Sequence, residues 1–202
     1  MWDRQKPMNL DNTPILPGQT VRLEPLQPAH FEELCKVGLD EELWRWFPVV
    51  VRTREELIQW LGQALAEQRQ GLTVPFVTFH AKSGEVIGTS RFANISSEHR
   101  RLEIGWTWIV RAWQRTAVNT EAKYLMLRYA FETLGCVRVE FKTDALNLPS
   151  RAALARIGAT EEGTLRQHMV TSSGRIRDTV YFSIVHSEWP AVKSRLEEKL
   201  AQ

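Results

Sequence analysis

The chain has 202 residues, 26 Lys and Arg against 24 Asp and Glu, and a hydrophobic content of 43%. That is enough apolar material for one core of ordinary size and too much for a disordered chain, and a formal charge of +2 gives no global field to draw it onto nucleic acid or membrane. The longest stretch free of Asp, Glu, Lys and Arg, 70–81, is too short to span a bilayer.

Residues 1–10 carry Asp3, Arg4 and Lys6 and no apolar segment, which predicts no secretory signal. Cys35 and Cys136 lie too far apart for a zinc pair or a disulfide framework. The expectation is a cytoplasmic protein with reduced thiols and no metal.

Residues 1–20 hold Pro7, Pro14 and Pro17 and read as a lead-in to a domain over 21–186. Val21-Arg22-Leu23 alternates as a short strand. Pro28 opens a helical pattern with Phe31, Leu34 and Cys35 on one face, closing near Gly38. Thr53 followed by Glu56 is a capping box, and Leu57, Leu61, Ala64 and Leu65 carry that helix toward Gly71. Segments 76–79 and 86–92 flank Lys82-Ser83-Gly84-Glu85, a hairpin signal. Leu102, Ile104, Trp106 and Trp108 then alternate with Glu103, Gly105 and Thr107, predicting a fourth strand with two unlike faces.

From Ala122 to Leu134 apolar residues recur at helical spacing, and Gly135 stands where a C-cap glycine belongs. Val137, Val139 and Phe141 alternate as a fifth strand. Asn147 caps a short helix with Pro149 in its first turn and Gly158 at its end. Strands over 163–170 and 177–185 enclose Ser172-Ser173-Gly174, and Ser187 starts a last helix over 187–202 that packs on the same domain. Hairpins mixed with strand–helix–strand crossovers imply a mixed α/β sheet.

The chain has no G-x-G-x-x-G, Walker loop, H-E-x-x-H or G-x-S-x-G, and its five histidines are scattered. The informative segment is 108–122, where a strand passes through an arginine-bearing turn into the long helix. Amides at such a helix start have no internal partner and sit at the positive end of the helix dipole, which suits an anion. Arg111, Gln114, Arg115, Asn119 and Thr120 add donors there. The plain alternative is an ordinary strand–helix turn capped by Asn119 or Thr120.

Downstream, Asn147-Leu148-Pro149-Ser150-Arg151, with Leu154 and a terminal Gly158, resembles the fourth-helix signature of the GNAT superfamily of N-acetyltransferases, and the element order over 21–185 is similar to that superfamily's. Glu121-Ala122 with Tyr129-Ala130-Phe131, and Arg177-Asp178 with Tyr181-Phe182-Ser183-Ile184 and Glu188-Trp189, resemble the branch that acetylates the N-termini of ribosomal proteins. The resemblance implies a single-domain α/β fold. Its mixed, mostly antiparallel central sheet is splayed between strands four and five and flanked by helices. The family's pyrophosphate loop has small residues where this chain has Ala117 and Asn119; glycine there lets backbone approach a phosphate.

The resemblance further implies acetyl-CoA as cofactor and transfer of an acetyl group to a primary amine, a protein N-terminus or a small molecule, by direct attack in a ternary complex. Gln114, Arg115, Thr116, Ala117, Val118, Asn119 and Thr120 would hold the pyrophosphate. Ile109 and Val110 would pair with the pantetheine as an added strand does, with an N–H near Val110 on the oxyanion. Asn147, Ser150 and Arg151 complete the cofactor set, and Arg111 and Arg156 are further candidates for the 3′-phosphate. Glu103 and Glu162 compete as general base, and Ser150 is placed to protonate the leaving thiolate. Trp44, Trp46 and Trp106 would meet the acceptor. Alternatives are an acyl-CoA-binding regulatory module without turnover and an RNA-associated protein acting through Arg100 and Arg101; a membrane partner is not expected, and a homodimer is compatible with this reading.

Overall fold

The computed structural model describes residues 8–10 and 12–202; residues 1–7 and Asp11, in the predicted lead-in, lie outside it. Eight strands form one sheet in the order β1-β2-β3-β4-β5-β6-β8-β7. They are β1 (Leu16–Pro17), β2 (Val21–Pro25), β3 (Val74–His80), β4 (Val86–Ser96), β5 (Arg101–Ile109), β6 (Arg138–Asp144), β7 (Thr160–Val170) and β8 (Ile176–Val185). All neighbours are antiparallel except β5 and β6. A parallel pair needs a long crossover, and the long helix supplies it. The two-residue β1, inside the predicted lead-in, is too short to show a period.

Helices α1 (Phe31–Val37), α2 (Glu41–Trp44) and α3 (Arg54–Arg69) precede β3. Thr53 and Glu56 form the expected capping box on α3, each side chain accepting from the other's end of the first turn, a motif worth about 1 kcal/mol. Helix α4 (Ala117–Arg128) crosses from β5 to β6 and widens into a π-helical turn over Tyr129–Thr133. Gly135 closes it at φ +64°, as predicted. Arg100 is buried and donates to the carbonyls of Leu134 and Gly135. It is therefore a cap for this turn, not a surface cation for RNA. Helices α5 (Leu148–Arg156) and α6 (Trp189–Leu200) complete the chain. The last helix starts from Glu188 without a side-chain cap, so Ser187 does not hold the place given to it.

Strand alternation divides the sheet into two unlike faces. Leu102, Ile104, Val139, Phe141, Val180, Phe182 and Ile184 are buried in one cluster with residues of α4 and α6. A second cluster joins α1–α3 to Val77, Phe79, Val86 and Trp108 on the other face. Those three helices do not extend over β6–β8–β7. The opposite face there carries Arg138, Glu140, Lys142, Tyr181 and Ser183, which alternate with the buried residues.

Candidate functional site

The β5–β6 ladder is short. Its register runs Arg101↔Arg138, Leu102↔Val139, Glu103↔Glu140 and stops. Beyond Glu103, β5 follows only β4, so a mouth opens between β5 and β6 with the starts of α4 and α5 on its two sides.

β5 also leaves its register with β4 at this point. Arg91 pairs with Gly105, yet Thr89 pairs with Trp108, one residue more on β5 than on β4. The extra residue is Trp106, at φ +50°. A bulky residue in that region is strained and persists only where its surroundings fix it.

After the bulge, Val110 N–H donates to the Ile87 carbonyl at 2.9 Å. It is committed to β4 and is not free for an oxyanion, which corrects that expectation. Alternation turns the Ile109 N–H the other way, toward the mouth. Ile109's carbonyl accepts from the Gln114 side chain at 2.8 Å, so Gln114 braces the strand end.

The helix start at α4 differs in detail from the sequence reading. Thr116, not Asn119 or Thr120, is the N-cap: its hydroxyl accepts from Val118 N–H at 3.3 Å and donates to the Trp113 carbonyl at 2.7 Å. Ala117 and Asn119 therefore occupy the first and third helical positions, whose amides have no partner within the helix. Neither has a positive φ, so the glycines of the family loop are not required here for conformation. Arg115, Thr116 and Ala117 are exposed, Asn119 and Thr120 half-buried, and Val118 anchors the turn in the core. Arg115 takes φ +61° just before the cap. This donor set fits a diphosphate. Arg111 is paired with Asp40 at 3.0 Å.

Across the mouth, Asn147 is the N-cap of α5, its side-chain oxygen accepting from Ser150 N–H at 3.1 Å. The Asn147 amide nitrogen and the Ser150 hydroxyl are left for a ligand. Arg151 is drawn to Glu161 at 3.1 Å and to the Ala145 carbonyl at 3.3 Å.

On the polar face, a groove of about 780 Å³ is lined by Leu72, Thr73, Asn94, Trp106, Lys142 and Tyr181 among others. Glu103 is buried beneath it, 2.9 Å from Lys142 Nζ and 2.6 Å from Asn94 Nδ2. Burial lowers the Lys142 pKa, but the Glu103 charge and hydrogen bond, with Tyr181, together hold it above the usual lysine value. Trp106 lines the groove. Trp46 is not among the groove's lining residues; it is half-buried, with the guanidinium groups of Arg45 and Arg175 5.1 Å and 6.0 Å from its ring. Trp44 is 1% exposed, packs on Trp60 and Phe47, and donates to the Gly38 carbonyl at 2.7 Å. It belongs to the core, which removes it from the acceptor set.

Glu162 is held in a fork by Arg138, one arm at 2.6 Å, and accepts from Ser183 at 2.7 Å. The guanidinium drives its pKa down to about 2. A carboxylate that acidic is a poor base near neutrality. Glu162→Gln is expected to leave turnover within about threefold of the original, measured at saturating substrates. The pair's contribution to stability is present above the unfolded glutamate pKa and is lost as pH falls through about 2. Glu162 is 37% exposed, so that contribution is under about 1 kcal/mol.

Three polar features escaped the sequence reading. Lys123 is buried in α4; its spacing from Met126 and Ala130 places it inside the apolar stripe, which was the available signal. Arg91 is 4% exposed, 4.0 Å above the Trp60 ring and 3.7 Å from Glu67, and burial lowers its pKa to about 10. Asp144, fully buried at the end of β6, binds Arg175 and the Leu146 amide and so fixes the turn into α5. No sequence period links 144 to 175.

The family described as acetyltransferase (GNAT) domain matches residues 20–160. "Putative ribosomal N-acetyltransferase YdaF" of Bacillus subtilis is 34% identical over 110 residues, 54% of this chain and 59% of that protein; the chain thus matches less than two thirds of that relative's length. A GCN5-related N-acetyltransferase from Brucella melitensis superposes with a TM-score of 0.84 at 35% identity, covering 91% of this chain and 84% of that one. Mycobacterium smegmatis RimJ in complex with CoA-disulfide superposes with a TM-score of 0.77 at 25% identity, covering 89% and 88%. Family match, sheet order and the splayed β5–β6 mouth agree: the chain belongs to the GNAT acetyltransferases and is an acetyltransferase.

Proposed function

We propose that the protein moves an acetyl group from acetyl-CoA to a primary amine by direct attack in a ternary complex. The observation that carries this is the end of the β5–β6 ladder at Glu103↔Glu140, with unpaired amides of α4 on one side and Asn147 on the other. Acetyl-CoA supplies the activated acetyl thioester. The amides of Ala117 and Asn119, with Arg115 and Thr116, bind its diphosphate. Ile109 N–H and the Asn147 side chain hold the arm in the mouth as an added strand would be held.

An amine must be neutral to attack. An α-amine, with a reference pKa of about 7.7–8.0, needs a base far less than a lysine does. Glu103 is the carboxylate suited to accept its proton, through a water in the groove, because Glu162 is committed to Arg138. Ser150, in the first turn of α5, donates a proton to the departing thiolate. A covalent route through a thiol is disfavoured: Cys136 is buried with its pKa pushed up to about 12, and Cys35 is buried and raised as well. The groove takes the acceptor, with Trp106 as one wall. YdaF's name, a putative ribosomal N-acetyltransferase, makes a protein N-terminus an acceptor class to test beside small amines.

CoA at about 100 times its Kd should stabilise the fold by about 2.7 kcal/mol, read as a thermal shift. A panel of short peptides with free N-termini and of small amines, assayed with acetyl-CoA by release of free thiol, should give acceptor-dependent turnover. A thermal shift without thiol release for any acceptor would identify a CoA-binding module; no shift at all would remove the cofactor assignment.

A further inference from the structure

Lys123 has no role in the reaction as proposed, yet it is an expensive residue. It lies in the second turn of the crossover helix, 5% exposed, with no carboxylate among its hydrogen-bond or ion-pair partners in the described residues. Glu121, two residues away, is turned elsewhere: its carboxylate accepts the backbone amides of Gln19, Thr20 and Val21 at 2.6–2.8 Å. Burying an ammonium without a counter-ion costs stability. What Lys123 touches is Thr107 Oγ1 at 2.7 Å and Ser90 Oγ at 3.3 Å, one hydroxyl on β5 just past the bulge and one on β4 beside it.

These hydroxyls are part of a closed set. They lie 2.8 Å from each other. Both reach the Gly105 carbonyl, Ser90 at 3.4 Å and Thr107 at 3.3 Å, and Thr89 Oγ1 reaches the Trp106 carbonyl at 3.2 Å. Each hydroxyl has one proton to give. Lys123 Nζ donates to both, and the amine as well as the ammonium has the two protons this takes, so it fills an acceptor site on each hydroxyl. One hydroxyl proton then bridges the pair and the other lies on the Gly105 carbonyl. Lys123 thereby sets the direction of the hydrogen bonds around the Gly105 carbonyl, where β5 leaves its register with β4 at Trp106. That is what a tryptophan at φ +50° needs in order to persist.

We propose that Lys123 is a positioning residue for acetyl transfer: through Thr107 and Ser90 it holds the β5 bulge in the one backbone arrangement that presents residues 105–109 to the mouth between β5 and β6. This rests on the acetyl-transfer reading above. Lys123 touches neither reacting atom; it acts through the strand.

The test uses Lys123→Met, which keeps length and apolarity, and Thr107→Val, which removes the accepting hydroxyl from the other side. Both variants are expected to fold, Lys123→Met with a melting temperature at or above the original's and Thr107→Val with a lower one, because it leaves the ammonium with Ser90 alone. Amide hydrogen exchange over 105–108 should accelerate by about threefold or more in each. Turnover at saturating substrates should fall by about tenfold, while the Kd for CoA, whose diphosphate is held far along at α4, changes by less than about threefold. The double variant should be no worse than the poorer single one, as for two members of one network.

Unchanged exchange at 105–108 would overturn the proposal whatever the activity. Faster exchange with turnover intact would overturn the positioning role. Absence of acceptor-dependent thiol release from the unaltered protein would instead sink the acetyl-transfer reading, and the exchange result would still decide whether Lys123 holds the bulge.

Discussion

Glu103→Gln is expected to lower turnover by about 10²-fold, the lower part of the range typical for loss of a general base, while leaving CoA affinity within about threefold. The substitution keeps the shape and keeps an acceptor for Asn94 Nδ2, now 2.6 Å from the carboxylate. It removes the charge that takes the proton. It also removes the anion 2.9 Å from Lys142, the largest of the effects raising that lysine's pKa against burial. The ammonium is then left with the Tyr181 ring, 5.0 Å away, and its pKa falls.

Two readouts separate the roles. If Glu103 takes the proton, kcat falls for α-amines and falls further for alkylamines of higher pKa, because those hold their proton more tightly. If Glu103 serves only to anchor Lys142, KM for the acceptor rises and kcat is unmoved. Turnover equal to that of the original protein with both amine classes would assign proton removal to solvent. The helix start proposed to hold the diphosphate is on α4 and includes neither Glu103 nor its partners Lys142 and Asn94, so CoA binding is the internal control.

The sequence was most informative where a period or a cap repeats a local rule. The capping box at Thr53 and Glu56, the glycine at 135 and the Asn147 cap could be read because each depends on neighbours within four residues. The same is true of the two-faced β5: Leu102 and Ile104 are buried in the core and Glu103 lies on the opposite face.

What escaped depends on register between strands. The Trp106 bulge inserts one residue, so the alternation that put Trp106 and Trp108 on the face of Leu102 and Ile104 breaks there: Leu102 and Ile104 are in the cluster under α4 and α6, while Trp108 is in the cluster on the other face, against which Trp106 packs where it lines the groove. The cap at Thr116 was missed because its side chain is satisfied by a turn three residues long, Trp113 to Thr116, that has no apolar signature. The loss of Trp44 and Glu162 from the site has a similar origin. Each meets its partners, Gly38 and Arg138, only once the fold is closed.

The second large effect is on stability, and its sign follows from Lys123. In the unfolded chain a lysine titrates near 10.4; buried in α4, Lys123 is lowered to about 7, with burial the cause. Below pH 7 the side chain is charged in both states, and the folded state bears the whole cost of an ammonium out of water. Between about 7 and 10.4 the unfolded chain binds the proton and the folded one does not, so stability rises with pH. Above that range the residue is neutral in both states and the cost is gone. Lowering a lysine from about 10.4 to about 7 corresponds to several kcal/mol, large against the total stability of a domain.

Lys123→Met takes the charge away and leaves Ser90 and Thr107 bonded to each other at 2.8 Å, so no buried hydroxyl is orphaned. The variant should therefore exceed the original protein in urea-unfolding free energy by several kcal/mol at pH 6, and by much less at pH 9. Taking the difference between the two proteins cancels every other titrating group that the substitution leaves alone. Among the described residues the ammonium's hydrogen-bond partners are hydroxyls, Ser90 from β4 and Thr107 from β5, and Glu121 of α4 is occupied by three backbone amides. An advantage of equal size at pH 6 and pH 9 would mean that Lys123 keeps its proton in the folded protein at both pH values, so that its pKa is not lowered by burial, and the account of its burial would fall. A stability gain at pH 6 together with slower turnover would show a charge kept in the core against stability and in favour of the strand it holds.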